Sequence, residues 1–252
     1  MEKIGKLVSG RGFCSRRTAE KLVKEGRVEV NGHIVNDVAL RFPTNSEIKI
    51  NDKILGEEEE MKIWIHHKIR GTIVSTKDLK RRKTLLGYLA NKLGRKHVLA
   101  VGRLDMNSEG LLILTNRGSF KRYLELPSTE LTRTYDVQIG TCQFPDTFFS
   151  SLSRGISIDG VDYKPIYCKL LKTQSEGNIH WIRMELQEGK NREIRKIMAH
   201  FGISIIRLKR IKYGPFSLSQ VKLGQTKEVL EYDFSARKLI SQFKSQFEKA
   251  KF

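Results

Sequence analysis

Two rhythms of apolar and polar positions run along this chain, and its first 56 residues show both. In SRRTAEKLVKE, Ser15 to Glu25, the apolar residues Ala19, Leu22 and Val23 fall on one helical face. The stretch opens on Ser15, a good helix N-cap, and closes before Gly26, a residue suited to the left-handed position past a helix end. RVEVNGHIV, residues 27–35, then alternates at period two around Asn31-Gly32. That dipeptide marks a tight hairpin, because both of its turn positions need positive φ. EIKINDKIL, residues 47–55, supplies one further strand.

The acidic run Glu57–Glu60 has no periodicity, and residues 57–61 are expected to form a linker between a domain at 1–56 and another at 62–234. In the second, KIWIHHK, GTIVSTK, TYDVQIG and IHWIRMELQ read as strands. GLLILT reads as a buried strand, since both its faces are apolar. GSFKRYLEL and NREIRKIMAHFG read as helices. Short connections between strands predict an α+β fold, with a mixed, largely antiparallel sheet and flanking helices. Residues 235–252 form a basic amphipathic helix with Leu239, Phe243 and Phe247 on one stripe. It is expected to dock on the core rather than bind a membrane.

Composition adds a direction. The 252 residues include 47 Lys plus Arg against 28 Asp plus Glu, a formal charge of +19, with 39% hydrophobic residues. A chain this apolar builds a core, so it is not a disordered basic tail. A folded protein this basic attracts polyanions, of which nucleic acid is the commonest; a solvated surface that is simply basic is the bland alternative, and an anionic membrane the third. No apolar run nears the roughly 18 residues of a membrane span, and MEKIGKLVSGRG lacks the apolar centre of a signal peptide. The 3 cysteines (Cys14, Cys142, Cys168) match neither a disulfide framework nor a paired metal motif. A cytoplasmic protein is expected. There is no GxGxxG after a strand, no GxxxxGK[ST], no HExxH and no GxSxG. Chemistry without a metal or a cofactor is therefore expected.

Three segments stand out. Val101 to Gly110 is a polar loop feeding the buried GLLILT strand, which fixes the Asp105 carboxylate near a core edge. On that segment alone, a turn closed by Asp105 is the simpler reading. In EGKNREIRK, Arg192, Arg195 and Lys196 lie on neighbouring parts of one helical surface, with backbone donors at the helix start. This suits phosphate and equally describes a solvated basic face. Tyr135, on an alternating strand, suits either a core position or stacking on a nucleobase.

In this order and at these separations the segments resemble the bacterial ribosomal-RNA pseudouridine synthases that modify single uridines, and within them the large-subunit branch. GRLDMNSEGLLILTNRG resembles the catalytic motif, TRTYDV the tyrosine motif, and EGKNREIRKIMAHFG with IIRLKRIKYG the third motif. The first 56 residues resemble the αL-type RNA-binding domain shared with a small-subunit ribosomal protein. The resemblance implies that Asp105 is the essential aspartate acting on the ribose. It implies that Tyr135 stacks on the target base and is a candidate for removing the C5 proton. Arg195 would pair with the aspartate, and Leu208 would pack beside the base. It extends substrate binding to Arg103, Leu104, Asn107, Lys190, Asn191 and Arg192, and RNA binding to Arg16, Arg17, Lys21, Lys24 and Arg27. A carboxylate working in a partly dry pocket needs a cation beside it, and a guanidinium would orient both its oxygens. The chain departs from the family pattern at Ser108, where threonine is usual, and at Arg117, where aspartate is frequent. The implied partner is ribosomal RNA or a ribosome-assembly intermediate, bound by a monomer. A non-catalytic ribosome-assembly factor built on the same domain pair is the competing expectation.

Overall fold

The computed structural model describes residues 1–75, 84–140, 143–173, 178–230 and 233–247. Cys142 and the end of the predicted GTIVSTK strand lie outside them. The chain divides into two compact units: Met1–Lys62 with Ser75–Leu99 and Thr115–Gly118, and Ile63–Val74 with Ala100–Leu114 and Ser119–Phe252.

The first unit runs β1 (Glu2–Lys3), α1 (Ile4–Gly10), α2 (Arg16–Lys24), β2 (Val28–Val30), β3 (His33–Ile34), β4 (Arg41–Phe42), β5 (Ile48–Ile50) and β6 (Lys53–Ile54), and it includes α3 (Leu85–Lys92). Ser15 caps α2 as its sequence predicts, its Oγ accepting from the Thr18 N–H at 3.2 Å. Asn31 and Gly32 take φ of 50° and 82°, and the β2–β3 hairpin closes over them. EIKINDKIL folds as two strands rather than one, because Asn51 and Asp52 both adopt positive φ (49° and 62°) and turn β5 back onto β6. Ile4, Leu7 and Val8 of α1 pack with Ala19, Leu22 and Val23 of α2 over Val28, Val30, Ile48 and Ile50. The acidic run Glu57–Glu60 has no regular structure, yet two of its carboxylates and a carbonyl of the run are engaged. Glu58 pairs with Arg117 and Glu59 with Arg95, and the Asn116 amide donates to the Glu60 carbonyl at 2.8 Å. Arg117, the departure from the family pattern, is thus an anchor within this unit.

The second unit is built on one large sheet. Its strands are β7 (Ile63–Lys68), β8 (Leu99–Val101), β9 (Glu109–Thr115), β10 (Arg133–Gly140), β13 (Tyr167–Thr173), β14 (Ile179–Leu186), β15 (Ser204–Tyr213), β16 (Phe216–Ser217) and β17 (Thr226–Val229). A separate hairpin, β11 (Ile156–Ile158) with β12 (Val161–Tyr163), lies off it. The main order is β13-β14-β10-β15-β9-β7-β17, with β16 on β15 and β8 on β9. β10–β14, β10–β15, β13–β14, β15–β16 and β7–β17 are antiparallel, and β9 joins β15 in parallel. The sheet is therefore mixed and largely antiparallel, as the alternating runs predict. Residues 71–75 of the predicted GTIVSTK strand instead form a turn with a single bridge at Ile73.

Helices α4 (Gly118–Glu125), α5 (Phe148–Arg154), α6 (Glu193–His200) and α7 (Phe234–Phe247) complete this unit. Phe148 and Leu152 of α5 and Ile194, Ile197 and Met198 of α6 pack on Val137, Ile139, Ile182, Met184 and Leu208. The apolar stripe of α7 is buried through Leu239 and Phe243, the latter meeting Phe120 edge-on with ring centroids 5.0 Å apart. No helix among the described residues is long and apolar enough to cross a membrane.

Candidate active site

The loop between β8 and β9 turns on Asp105, though not through its carboxylate. The Ser108 N–H donates to the Asp105 main-chain carbonyl at 3.0 Å, so the backbone closes the turn and the side chain is left for other partners. Gly102, at φ 65°, starts the loop, and its N–H donates to Glu125 Oε1 at 2.6 Å. Leu104 is buried and roots the loop. Arg103 and Asn107 are exposed.

Two arginines meet the carboxylate. Arg192 Nη1 donates to Asp105 Oδ2 at 3.1 Å, and Arg195 Nε lies 3.3 Å from the same oxygen. The expected two-oxygen grip by one guanidinium is not formed; two cations share Oδ2 instead. Arg195 is mostly buried, and its Nη2 also donates to the Asn107 carbonyl at 3.2 Å and to Ser108 Oγ at 3.1 Å. Ser108 thereby uses the hydroxyl that it shares with the usual threonine. Burial lowers the Arg195 pKa from its ordinary value, and Asp105 opposes that shift. A partly dry guanidinium held to a loop at three points is a stiff electrostatic partner for a carboxylate.

Arg192 does not share a helical face with Arg195, as the spacing suggested. It precedes α6 in the left-handed region, at φ 54°, and reaches Asp105 from that turn. Lys190 and Asn191 lie exposed in the same turn, Lys190 paired with Glu188. Arg192 and Arg195 also line a depression of about 440 Å³ whose floor includes Ile203 and Ile205.

Tyr135 is half-buried on β10, between Met184 of β14 and Arg210 of β15. No hydrogen bond or ion pair joins it to Asp105, Arg192 or Arg195 among the described residues. The sheet relates them instead. Arg210 faces Tyr135 on one side and Gly110 on the other, and the Asp105 loop ends directly before β9. At about 4.8 Å between strands, Tyr135 and Gly110 stand roughly 10 Å apart on one rung. Leu208, on the same face of β15, is buried against Val137.

Two side chains that sequence reasoning passed over support the loop. Lys68, at the end of β7, is fully buried. Its Nζ donates to the carbonyls of Ser108 at 2.7 Å, Ile69 at 3.2 Å and Met106 at 3.4 Å. Burial pulls this amine down to about 8, against the attraction of Asp105 and Glu109. Arg210, also buried, donates through Nε to the Leu111 carbonyl at 2.8 Å. A lysine closing the six-residue buried strand IWIHHK was the available signal for the first; Arg210 gave none. In the first unit, Arg16, Arg17, Lys21, Lys24 and Arg27 are all exposed. Arg16 pairs with Glu20, and Arg27 holds Asn51 and Glu25.

Residues 62–200 match the family model described as RNA pseudouridylate synthase, and residues 4–48 match the S4 domain. A Rickettsia bellii protein described as an uncharacterized RNA pseudouridine synthase is 41% identical over 229 residues, covering 91% of this chain and 97% of that protein. Ribosomal large subunit pseudouridine synthase B of Bacillus subtilis is 32% identical, covering 92% and 94%. A crystal structure of a pseudouridylate synthase shares the fold at a TM-score of 0.61 with 22% identity, covering 96% of this chain and 100% of that one.

Proposed function

Because this chain belongs to the RNA pseudouridylate synthase family, with an S4 domain at its N-terminus, we propose that it isomerises a uridine of ribosomal RNA, in the large subunit, with Asp105 as the essential group. The family and its relatives make the enzyme an RNA pseudouridine synthase. The Bacillus subtilis relative supports the large-subunit target. The observation that carries the site is the Asp105 carboxylate, held through Oδ2 by Arg192 and Arg195 at the mouth of a rigid loop.

The reaction balances within one nucleotide. The C1′–N1 bond breaks, uracil turns, and C5 bonds to C1′ while its proton moves to solvent and N1 gains one. Asp105 acts on the ribose as the first bond breaks, offering Oδ1 while both cations occupy Oδ2. The two arginines stabilise the carboxylate in a site from which water must be kept out. Tyr135 stacks on the uracil and takes the C5 proton, and Leu208 lines the apolar side. The loosened base must not escape between the two steps, so confinement matters more than acid strength. The target uridine leaves its stack to enter, as base-modifying enzymes require. Arg103, Leu104, Asn107, Lys190, Asn191 and Arg192 hold the nucleotide. Residues 1–56 act as the reading head. The protein works as a monomer in the cytoplasm.

The test is tritium release from large- and small-subunit ribosomal RNA labelled at uracil C5. Release from the large-subunit RNA alone is the expected result. Release from the small-subunit RNA alone overturns the target, and binding without release from either overturns the enzyme in favour of an assembly factor.

The exposed cations of α2 give a further expectation. Arg16→Ala with Arg17→Ala weakens RNA binding and flattens its salt dependence. Two lost phosphate contacts reduce the slope of log K against log salt by about 1–2. Filter binding from 50 to 200 mM salt measures this. An unmoved slope places the helix away from RNA.

A further inference from the structure

The most deeply placed acid near the site is Glu193, the first residue of α6, set between Arg192 and Arg195 in sequence. It is 4% exposed. Its Oε2 accepts the Lys190 N–H at 2.9 Å, bridging the turn that carries Lys190, Asn191 and Arg192 back onto the helix. Its Oε1 is buried without a hydrogen-bond partner. A buried carboxylate oxygen left bare is costly, and a proton on it removes the cost if an acceptor lies nearby. Glu188, whose carboxyl interacts with that of Glu193, is the candidate for that acceptor.

Glu188 is anchored as an anion. It accepts the Lys164 N–H at 2.8 Å through Oε1 and pairs with the Lys190 ammonium through Oε2. These partners lower the Glu188 pKa from its ordinary value. Burial and the Glu188 charge push Glu193 up to about 7, opposed by the Lys190 N–H and the Lys190 charge. Tyr163 of β12 lies under the Lys190 ammonium at 5.5 Å. From β10, Arg133 reaches beneath Gly189 and donates to the Gln187 carbonyl at 2.9 Å. The turn is thus pinned at Gln187 by Arg133, at Glu188 by the Lys164 N–H, and at Lys190 by Glu193. It ends on Arg192 in a conformation that residues other than glycine rarely adopt.

Resting on the reading of Asp105 given above, we propose that Glu193 is a positioning residue. Protonated and hydrogen-bonded to Glu188, it holds the 188–192 turn so that Arg192 and Arg195 both meet Asp105. Loss of its proton puts two facing carboxylates in one buried corner, and the turn relaxes away from the aspartate. Glutamine at this position keeps both contacts, accepting from the Lys190 N–H and donating to Glu188, with no proton to lose.

The experiment measures tritium release by the full chain between pH 5.5 and 9, separating kcat from KM, for wild type, Glu193→Gln and Glu193→Ala. Wild-type kcat is expected to fall as pH rises through about 7, with KM unchanged. Glu193→Gln should stay within about twofold of the wild-type maximum and lose that inflection. Glu193→Ala should lose about tenfold or more in kcat, because small displacements of site groups carry penalties of that size. A glutamine variant that keeps the wild-type inflection overturns the proposal, as does a folded alanine variant with wild-type kcat. If the alanine variant does not fold, the glutamine profile decides. Wild type that releases no tritium at any pH overturns the enzyme reading instead.

Discussion

Asp105→Asn is expected to yield a folded, RNA-binding protein whose tritium release from uracil C5 drops to background, a loss of at least about 10³-fold. Asparagine keeps the shape and one oxygen for Arg192 and Arg195, yet it neither adds to the sugar nor accepts its proton. The turn itself survives, because the Ser108 N–H bonds to the main-chain carbonyl of residue 105 and not to the side chain. Arg195 keeps its bonds to the Asn107 carbonyl and Ser108 Oγ. Stability should therefore change by no more than about 1 kcal/mol, the range of a partly solvated ion pair. RNA affinity should stay within a fewfold of wild type. The measurements are single-turnover tritium release, a urea melt and filter binding on one preparation. Release at the wild-type rate removes Asp105 from the chemistry, whereas loss of folding together with release means that the carboxylate is structural.

Gly110→Ala is the second large effect, and it acts through the backbone. Gly110 sits at φ 106° where β9 meets β15. A Cβ built there overlaps the Arg210 carbonyl oxygen and lies 2.8 Å from the Arg210 nitrogen. Main chain cannot swing aside as a side-chain tip can, so the parallel pairing of Glu109 and Gly110 with Lys209 and Arg210 must open. Destabilisation of at least about 3 kcal/mol is expected, from steric overlap added to an unfavourable φ. Gly32→Ala is the matched control. Its φ is 82°, but nothing lies within 4 Å of the new carbon, so only the conformational penalty of about 1 kcal/mol applies. Urea midpoints compare the two, and hydrogen exchange across residues 109–114 locates the opening. Equal penalties at both positions mean that β9 and β15 part without cost.

The parts of this fold that could be read from the chain are those decided within a few residues. Ser15 and Gly26 bracket α2 because capping is local, and Asn31-Gly32 turns a hairpin because its dihedral demand is local. Four consecutive apolar side chains in GLLILT, Leu111 to Leu114, marked a buried strand for the same reason. Asn51-Asp52 shows the limit. It makes the same kind of turn as Asn31-Gly32, yet without a glycine it passed for strand interior. Helices α1, α3 and α5 are seven or eight residues long and owe their form to what they pack against, which no short window records.

At the site, the segments holding Asp105, Tyr135 and Arg195 stood out from their residues but each kept an ordinary alternative, and only the resemblance gave them roles. The contact of Arg192 with Asp105 spans 87 residues of sequence and that of Lys68 with Ser108 spans 40. Helical periodicity also gave the wrong reason for pairing Arg192 with Arg195. They converge because a left-handed residue bends the chain before α6, not because they share a helix face. Glu193 carried no signal of its own in the sequence, and its burial comes with the turn that its carboxylate bonds at the Lys190 N–H.

Lys68 has one more consequence, for chemical labelling. The lowered pKa of this amine belongs to its burial, so exposure to water returns Lys68 to the behaviour of an ordinary surface lysine toward acylating reagents. In the closed protein no reagent reaches it, since it is fully buried beneath the carbonyls of Met106 and Ser108. Its acylation therefore waits on the lifting of the Asp105 loop. The modification rate of this one lysine becomes a clock for loop opening, readable by mass spectrometry with and without RNA.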